Sequence, residues 1–294
     1  MTNPIYKISM LGPTRVGKTS LIATMSKMID TTLLTGTPIS FFTDDLATEK
    51  KLAMHAKELR GSINAGSIDN TFDPGAVAGT QSPFSFKFSL KSIHEKNMLN
   101  FEILDFPGGW LDPASRPDDS GQQWKDCQKW IVDSAVIIIP VEATVIMDAA
   151  TPKEKRAIED NLQTEEIQNI IREWAKNRYA KYEDEPSTVI FSATKCESYF
   201  IDNVRVTGKN QSSELFDKVQ HYYRDVIKTI QDEFDNKPNV SILYTAVDTI
   251  GCIDLRRGDW KEDDEGVLRF SGTYSVIPTA AGLQPKGADD IFIT

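Results

Sequence analysis

The residues of this chain best placed to do chemistry form a glycine-rich run near its start. Residues Gly12–Thr19 read G-x-x-x-x-G-K-T, after the apolar stretch Ile5–Leu11 and before a helical pattern that continues from Ser20. In such a turn, successive backbone N–H groups wrap around a phosphate, and the helix that follows directs its positive end at the same anion. The run therefore predicts a Walker A phosphate loop between a strand and a helix.

Two side chains of this phosphate loop have specific expected parts. Lys18 is expected to bridge the β- and γ-phosphates of a nucleotide, and the Thr19 hydroxyl is expected to bind Mg²⁺. The other residues of the run predicted to contact the nucleotide are Gly12, Arg15, Val16, Gly17 and Ser20.

A second motif lies at the end of a later apolar strand. The segment Phe101–Gly108 reads F-E-I-L-D-F-P-G, so that Asp105 ends the strand and Gly108 follows three residues later. A carboxylate in that place can hold the hydration shell of Mg²⁺, and the N–H of Gly108 can bind a γ-phosphate. This D-x-x-G spacing predicts a switch II segment.

A threonine from a loop is expected to complete the metal site. Residues 69–83 contain two glycines and two prolines, which predicts a loop, and Thr80 stands just before the strand-like run Phe84–Leu90. Thr80 can reach both Mg²⁺ and the γ-phosphate as a switch I residue, and Thr71 is its rival. The predicted catalytic residues are thus Lys18, Thr80 and Gly108, and the predicted metal ligands are Thr19, Thr80 and Asp105.

The segment Ala193–Glu197, which reads A-T-K-C-E, follows another apolar strand. Together with the three preceding motifs it resembles the N/T-K-x-D motif of P-loop GTPases, the class that contains the Ras-like and translation-factor G domains. The resemblance covers roughly residues 5–250 and implies that Thr194, Lys195 and Glu197 bind guanine. A carboxylate there accepts hydrogen bonds from guanine N1 and N2, and adenine lacks these donors. This chain has Glu197 where the family has Asp.

The resemblance extends to a weaker motif and to a narrower group. Thr245 and Ala246, expected just after the sixth strand, loosely match the S-A-K motif whose backbone N–H groups contact the guanine carbonyl. The long insert before switch I and the D-F-P-G-G element resemble bacterial GTPases of conflict systems and GTPase-associated systems. The implied ligands are GTP, GDP and Mg²⁺.

The implied activity is Mg²⁺-dependent hydrolysis of GTP by a conformational switch. The residue after D-x-x-G is Gly109 rather than the glutamine that orients water in many Ras-like proteins, so slow turnover without a partner is expected. Gln122 and Gln123 lie too far along the chain to match that glutamine, and Arg15 and Arg116 are either charge stabilisers or solvent-facing. An ATPase, a small-molecule kinase and a nucleotide-binding scaffold with little hydrolysis stay open as alternatives.

Strand-like runs alternate with helical patterns, which predicts an α/β fold with a mainly parallel six-stranded sheet and helices on both faces. Because Phe84–Leu90 alternates apolar and polar residues, it is expected at an edge, in a hairpin with the next strand. The predicted strands are Ile5–Leu11, Phe84–Leu90, Leu99–Leu104, Ala135–Val141, Thr188–Ser192 and Val240–Tyr244. After the phosphate loop's own helix, the predicted helices are Thr43–Arg60, Lys153–Lys181 and Ser213–Phe234.

The expected organisation is a G domain at residues 1–250, with an insert at residues 31–79, and an extension at residues 251–294 packed on the same domain. Within the extension, an acidic loop at residues 258–266 is expected to precede a hairpin of Val267–Phe270 and Tyr274–Ile277. No final helix is predicted, so one side of the sheet near the C-terminus is expected to be uncovered. That side and the switch segments are the candidate surfaces for a protein partner.

Composition narrows the possible partners and the location. A formal charge of -10 argues against nucleic-acid binding, which relies on clustered Lys and Arg. The three cysteines are widely spaced without a C-x-x-C pair, which predicts neither disulfides nor zinc. The start of the chain lacks the pattern of a signal peptide, and the run Ala135–Val141 is too short to cross a bilayer. A cytoplasmic protein without membrane insertion is therefore expected.

Overall fold

The computed structural model describes residues 5–29, 34–35, 37–69, 71–74, 77, 79–92, 98–117, 121–200, 210–235, 239–277 and 283–293. Its centre is a seven-stranded mixed sheet. The strands of this sheet are β1 (Ile5–Met10), β2 (Ile39–Thr43), β3 (Phe84–Ser92), β4 (Met98–Asp105), β5 (Val136–Glu142), β6 (Ser187–Thr194) and β7 (Val240–Val247).

The strand order is β2-β3-β4-β1-β5-β6-β7. Strand β3 runs antiparallel to both β2 and β4, whereas β4, β1, β5, β6 and β7 are mutually parallel. Because parallel strands end at the same edge of a sheet, the loops that follow these five strands assemble side by side. The phosphate loop, Asp105 and the A-T-K-C-E segment all lie at this edge.

The expectation of six strands with Phe84–Leu90 at the edge is wrong. The insert contributes a seventh strand, β2, which pairs along β3 and takes the edge position. Phe41 of β2 stacks on Phe88 of β3 with ring centroids 5.2 Å apart, so that aromatic packing supports this added strand. The expected antiparallel pairing of β3 with β4 is confirmed, while residues 93–97 lie outside the described residues.

Both faces of the sheet are covered, as its alternating side chains require. Ile137 and Ile139 of β5 belong to one apolar core, and Ile138 between them belongs to the core on the opposite face. The helices are α1 (Lys18–Met28), α2 (Leu46–Asp69), α3 (Gly121–Val132), α4 (Ala143–Asp148), α5 (Pro152–Leu162), α6 (Thr164–Lys181), α7 (Ser212–Tyr222), α8 (Arg224–Glu233) and α9 (Asp290–Ile293). Within the described ranges, no helix is both long and apolar enough to cross a membrane.

The boundaries of three predicted helices differ from the structure. The long helix expected from Lys153 is divided at Gln163, whose backbone is left-handed with φ 50, and the one expected from Ser213 is divided at Tyr223. A 3.6-residue periodicity can continue across such breaks, so the sequence pattern alone does not reveal them. Helix α2 in turn continues through Gly61, where an end was expected, to Asp69.

The extension contains a hairpin of β8 (Ile253–Glu262) and β9 (Leu268–Val276). The expected hairpin in the extension is confirmed, but its expected strands are wrong, because Val267–Phe270 and Tyr274–Ile277 both lie on β9 or directly at its ends. Most of the expected acidic loop is instead the end of β8, and the turn is confined to residues 263–266. Gly266 there has φ 77, and Asp263 accepts a hydrogen bond from the N–H of Val267 over 2.8 Å.

The insert and the extension pack against each other in a third apolar core. Leu59 and Ile63 of α2 are buried with Tyr274 and Val276 of β9. Phe72 joins this cluster and donates a backbone hydrogen bond to the Tyr274 carbonyl over 2.8 Å. Two segments far apart in sequence therefore form one wall beside the phosphate loop.

The end of the described chain covers part of the sheet face that was expected to be open. Contrary to the expectation of no final helix, α9 forms a single turn, and Ile291 within it is buried. Ala288 and Ile291 share the apolar core of α1 with Val247 of β7. The backbones of Asp248 and Lys286 also exchange hydrogen bonds of 3.0 Å each, which fixes this returning segment beside the end of β7.

Candidate functional site

The phosphate loop connects β1 directly to α1, as the sequence predicts. Arg15 and Gly17 adopt left-handed backbone conformations with φ 68 and 97, which turn the chain between strand and helix. The Thr194 hydroxyl donates a hydrogen bond to the Val16 carbonyl over 2.9 Å. The end of β6 thus holds the phosphate loop from the side.

Lys18 is buried within the phosphate loop that it belongs to. Its ammonium group donates hydrogen bonds to the carbonyls of Gly12 and Pro13 over 2.8 and 3.1 Å. Burial lowers the pKa of Lys18 to about 8, and the nearby Asp105 carboxylate opposes that shift. A positive group is therefore held at the loop, where an anion would meet it.

Three oxygen-bearing side chains from separate elements converge beside Lys18, and we call them the metal triad. The hydroxyls of Thr19 and Thr80 donate to Oδ2 of Asp105 over 2.7 and 2.8 Å and lie 3.0 Å from each other. Thr19 comes from the first turn of α1, Thr80 from the loop before β3, and Asp105 from the end of β4.

The metal triad fits a magnesium ion. Hydroxyl and carboxylate oxygens are the hard ligands that Mg²⁺ accepts in company with water and phosphate oxygens. Oδ1 of the fully buried Asp105 has no hydrogen-bond partner among the described residues, which leaves an acceptor for a metal-bound water. The described part of the chain holds no cluster of three or more His, Cys, Asp or Glu side chains that would suit another metal.

Gly108 lies directly against the phosphate loop. A Cβ atom on Gly108 would stand 2.3 Å from both the Pro13 carbonyl carbon and the Thr14 nitrogen, so only glycine allows this approach. At Gly109 the nearest atom to such a Cβ is the Thr14 hydroxyl oxygen at 3.7 Å. The D-x-x-G segment therefore contacts the phosphate loop through backbone at its glycine.

Of the arginines and glutamines considered as catalytic groups, Arg15 lies in the phosphate loop itself and borders the cavity there, whereas the others lie on the segment after Gly109 and on α3. Arg116 donates to the Trp110 carbonyl over 2.7 Å and stacks on the Trp124 ring 4.1 Å away, so it holds the segment after Gly109 in place. Arg15 is exposed, and Gln122 and Gln123 are exposed on α3.

A cavity of about 420 Å³ adjoins the phosphate loop, the metal triad and Lys195. Its walls include residues of the insert and extension that sequence reasoning missed, because each is brought there by contacts with distant segments. They are His55, Leu59, Phe72, Val77, Ile253 and Tyr274. Gln81, Thr249 and Ile250 also border the cavity and were not singled out.

The candidate base-binding residues are only partly brought to the cavity. Lys195 borders it, with its ammonium group 2.5 Å from Oε1 of Glu142 at the end of β5. Glu197 is buried and does not border it. Oε1 of Glu197 accepts hydrogen bonds from the N–H groups of Ile250 and Gly251 over 3.1 Å each, while Oε2 has no partner among the described residues. Burial raises the pKa of this carboxyl group.

Thr245 and Ala246 lie within β7 rather than after it. Strand β7 continues three residues beyond its expected end, because Thr245, Ala246 and Val247 stay paired with β6. The Thr245 hydroxyl donates to the Ser192 hydroxyl over 3.2 Å, and neither Thr245 nor Ala246 borders the cavity. Thr249 and Ile250 instead lie in the loop after β7 and border the cavity, where Thr245 and Ala246 were expected.

Strand order and motif positions together identify the architecture. Without the added edge strand β2, the strand order is β3-β4-β1-β5-β6-β7, and only β3 is antiparallel to the rest. The phosphate loop follows the central strand β1, and Asp105 ends the adjacent strand β4. The fold is that of a Ras-like P-loop GTPase domain. Relative to this fold, the insert adds β2 and α2 between the phosphate loop and Thr80, and the extension adds the β8–β9 hairpin beside the cavity.

No family model and no curated protein matches the sequence. Among solved structures, the chain is similar to the signal recognition particle receptor SRb in its GTP and SRX complex from Chaetomium thermophilum. The identity is 12%, the TM-score 0.43, and the match covers 83% of this chain and 94% of that one.

A second similar structure is the S. cerevisiae Ski7 GTPase-like domain bound to GTP, at 13% identity and TM-score 0.43. A third is Sup35 complexed with GDP, at 13% identity and TM-score 0.32. This chain spans 43% and 38% of those two chains. At such distances no ligand or activity transfers to this chain.

Proposed function

We propose that this chain binds GTP with Mg²⁺ and hydrolyses it to GDP and phosphate, as a conformational switch in the cytoplasm. The observation that supports this most strongly is the metal triad, in which Thr80 of the loop before β3 meets Thr19 and Asp105 beside the buried Lys18. A strand-end carboxylate, a helix hydroxyl and a loop hydroxyl at one phosphate loop match the requirements of a nucleotide-bound Mg²⁺.

Each residue has a defined part in this mechanism. When bound, Mg²⁺ would neutralise charge that develops on the β- and γ-phosphates, and Thr19, Thr80 and Asp105 would hold it. Lys18 leaves the carbonyls of Gly12 and Pro13 to bind phosphate oxygens, and the N–H of Gly108 binds the γ-phosphate. Loss of that phosphate removes the ligand shared by Thr80 and Gly108, which releases both switch segments.

Turnover by the chain alone is expected to be slow. Gly109 has no side chain to orient the attacking water, and Arg116 is engaged with the Trp110 carbonyl and the Trp124 ring. A catalytic group supplied by a protein partner can raise such a rate by roughly 10³- to 10⁵-fold. We therefore propose that a partner binds at the switch segments. The narrower resemblance to bacterial conflict-system GTPases stays a prediction.

The first test is binding of a fluorescent GDP analogue with and without Mg²⁺, competed by GTP, GDP, ATP and ADP. We expect guanine nucleotides to compete in a Mg²⁺-dependent manner. Lys18→Ala should abolish binding, whereas Lys129→Ala, at an exposed position on α3, should leave it unchanged. Absence of binding by the folded wild-type protein would contradict the proposal.

Single-turnover hydrolysis of GTP then separates a switch from a scaffold. A slow but measurable rate that depends on Mg²⁺ supports a switch. Binding without any hydrolysis supports the scaffold, and a fast rate without a partner contradicts the expected partner dependence.

One observation favours a second candidate, a nucleoside triphosphatase with weak base selection. Oε1 of Glu197 is occupied by the N–H groups of Ile250 and Gly251, and the residue does not border the cavity. A carboxylate used to hold a loop is less available to guanine N1 and N2. Equal competition by ATP and GTP in the binding test would establish this alternative.

A further inference from the structure

Helix α2 of the insert places a histidine at the phosphate loop. His55 is buried, with 5% of its surface exposed, and it borders the cavity. Its Nε2 lies 2.9 Å from the Ser20 hydroxyl, which belongs to the first turn of α1. No motif of the sequence analysis includes His55, and its contact with Ser20 exists only because α2 packs beside α1.

The position of His55 along the cavity can be fixed from its neighbours. On one side Ser20, whose hydroxyl lies 2.9 Å from Nε2 of His55, directly follows Thr19 of the metal triad. On the other side Leu59, one helical turn later on α2, borders the cavity and packs in the apolar core with Phe72 and Tyr274. His55 therefore faces the stretch between the metal triad and the wall near Lys195.

That stretch corresponds to a particular part of the nucleotide. If the γ-phosphate lies at the metal triad and the base lies at Lys195, as in the proposed function, the α-phosphate lies between them. The first turn of α1 also directs its free N–H groups toward this region, which favours an anion there.

The His55 and Ser20 pair is chemically suited to such an anion. A hydroxyl and an imidazole each combine a donor with an acceptor, so one group can donate to the other while the second donates to a phosphate oxygen. Buried polar groups retain hydrogen bonds, and a donor already positioned at the cavity loses little entropy when the ligand arrives.

We propose that His55 is a nucleotide ligand that, together with Ser20, donates a hydrogen bond to the α-phosphate. The insert helix α2 is then part of the binding site rather than only a structural addition. This inference rests on the proposed function for the orientation of the nucleotide, and its own evidence is the buried His55–Ser20 contact at the cavity.

Binding of guanosine, GMP, GDP and GTP to His55→Ala, His55→Gln and the wild type tests the proposal. We expect His55→Ala to weaken GMP, GDP and GTP by the same factor of about tenfold or more, and to leave guanosine unchanged. His55→Gln should recover most of the loss, since its amide can donate from a similar place. Met54→Ala, at a neighbouring exposed position of α2, is the matched control.

Other patterns would overturn the proposal. A loss confined to GTP would place His55 at the γ-phosphate, and a loss that includes guanosine would indicate general damage to the site. Unchanged binding by His55→Ala while the wild type binds GDP would overturn this inference alone. Absence of nucleotide binding by the wild type would overturn the proposed function with it.

A second measurement uses only the wild-type protein, so it does not depend on the folding of a variant. The chain has three histidines, and the imidazole signals of His55 can be assigned by NMR. We expect sulfur substitution at the α-phosphate of GDP to shift these signals more than substitution at the β-phosphate. An equal or reversed effect would contradict an α-phosphate contact.

Discussion

The hydroxyl of Thr80 donates a hydrogen bond to Oδ2 of Asp105 over 2.8 Å, across a sequence separation of 25 residues. Thr80 lies in the loop that joins the insert to β3, and Asp105 ends β4 at the centre of the sheet. This contact fixes the loop that follows the insert to the end of β4.

Thr80→Ala should separate binding of GTP from binding of GDP. In the proposed function, Thr80 binds the metal only while the γ-phosphate is present. Removing its hydroxyl should therefore lower GTP hydrolysis by about tenfold or more, while GDP affinity changes little. Single-turnover kinetics and competition binding measure both. Thr71→Ala is the matched control at an exposed position of the same loop. A defect in Thr71→Ala with normal Thr80→Ala would make Thr71 the switch I residue.

Gly108→Ala and Gly109→Ala form a pair with opposite expected outcomes. A Cβ at Gly108 would stand 2.3 Å from backbone atoms of Pro13 and Thr14, whereas at Gly109 the nearest contact is 3.7 Å. We expect Gly108→Ala to push switch II from the phosphate loop and weaken GTP binding, and Gly109→Ala to bind normally. Isothermal titration with a nonhydrolysable GTP analogue measures the difference. Equal affinities would contradict the observed packing.

Two glycines of α2 should respond oppositely to alanine. A Cβ at Gly66 would lie 2.0 Å from the Thr71 carbonyl oxygen and 2.8 Å from a Val276 methyl carbon, whereas Gly61 has no atom within 4 Å. We expect Gly66→Ala to lower the free energy of unfolding by about 1–3 kcal/mol through overpacking. Gly61→Ala should raise it by about 0.5–1 kcal/mol, because alanine favours the helix. Urea denaturation of both variants checks the two signs together.

Glu197→Gln should change how stability depends on pH. Burial raises the folded pKa of Glu197 above its ordinary value of 4.5, so above that pH the folded protein binds more protons than the unfolded chain. The wild type should therefore lose stability as the pH rises from about 4.5 through the folded pKa. Because glutamine does not titrate, its stability relative to the wild type should rise over the same window.

Urea denaturation from pH 4 to pH 8 measures this difference, with an expected scale of about 1.4 kcal/mol per unit of pKa shift. Glu173→Gln, at an exposed position of α6, is the matched control. A difference between Glu197→Gln and the wild type that stays constant with pH would contradict a carboxyl group held in a buried place.

Some expected features depend on local sequence and could be predicted. The phosphate loop needs only a glycine turn, a lysine and a hydroxyl within eight residues, placed between a strand and a helix. Asp105 and Gly108 are likewise defined by their spacing at the end of an apolar run. The geometry of both motifs depends on residues that are close together in the sequence, so the residue types nearly specify it.

Other features depend on contacts between distant segments and only tertiary structure decided them. The strand β2 exists through its pairing with β3, and β7 continues through its pairing with β6. The motif gives the position of Glu197 in the sequence but not its hydrogen-bond partners. These are the N–H groups of Ile250 and Gly251, which follow another strand, β7.

By itself, the sequence determined that this protein is an α/β chain with a phosphate loop and a strand-end carboxylate behind it. The sequence proposed both Thr80 and Thr71 for the place beside Asp105, and the structure has Thr80 there. Tertiary structure alone decided that His55 meets Ser20 and that Phe72 pairs with Tyr274. The reason is physical: a loop or helix end is specified by backbone preferences of adjacent residues, whereas a cavity wall is specified by which distant apolar surfaces bury each other.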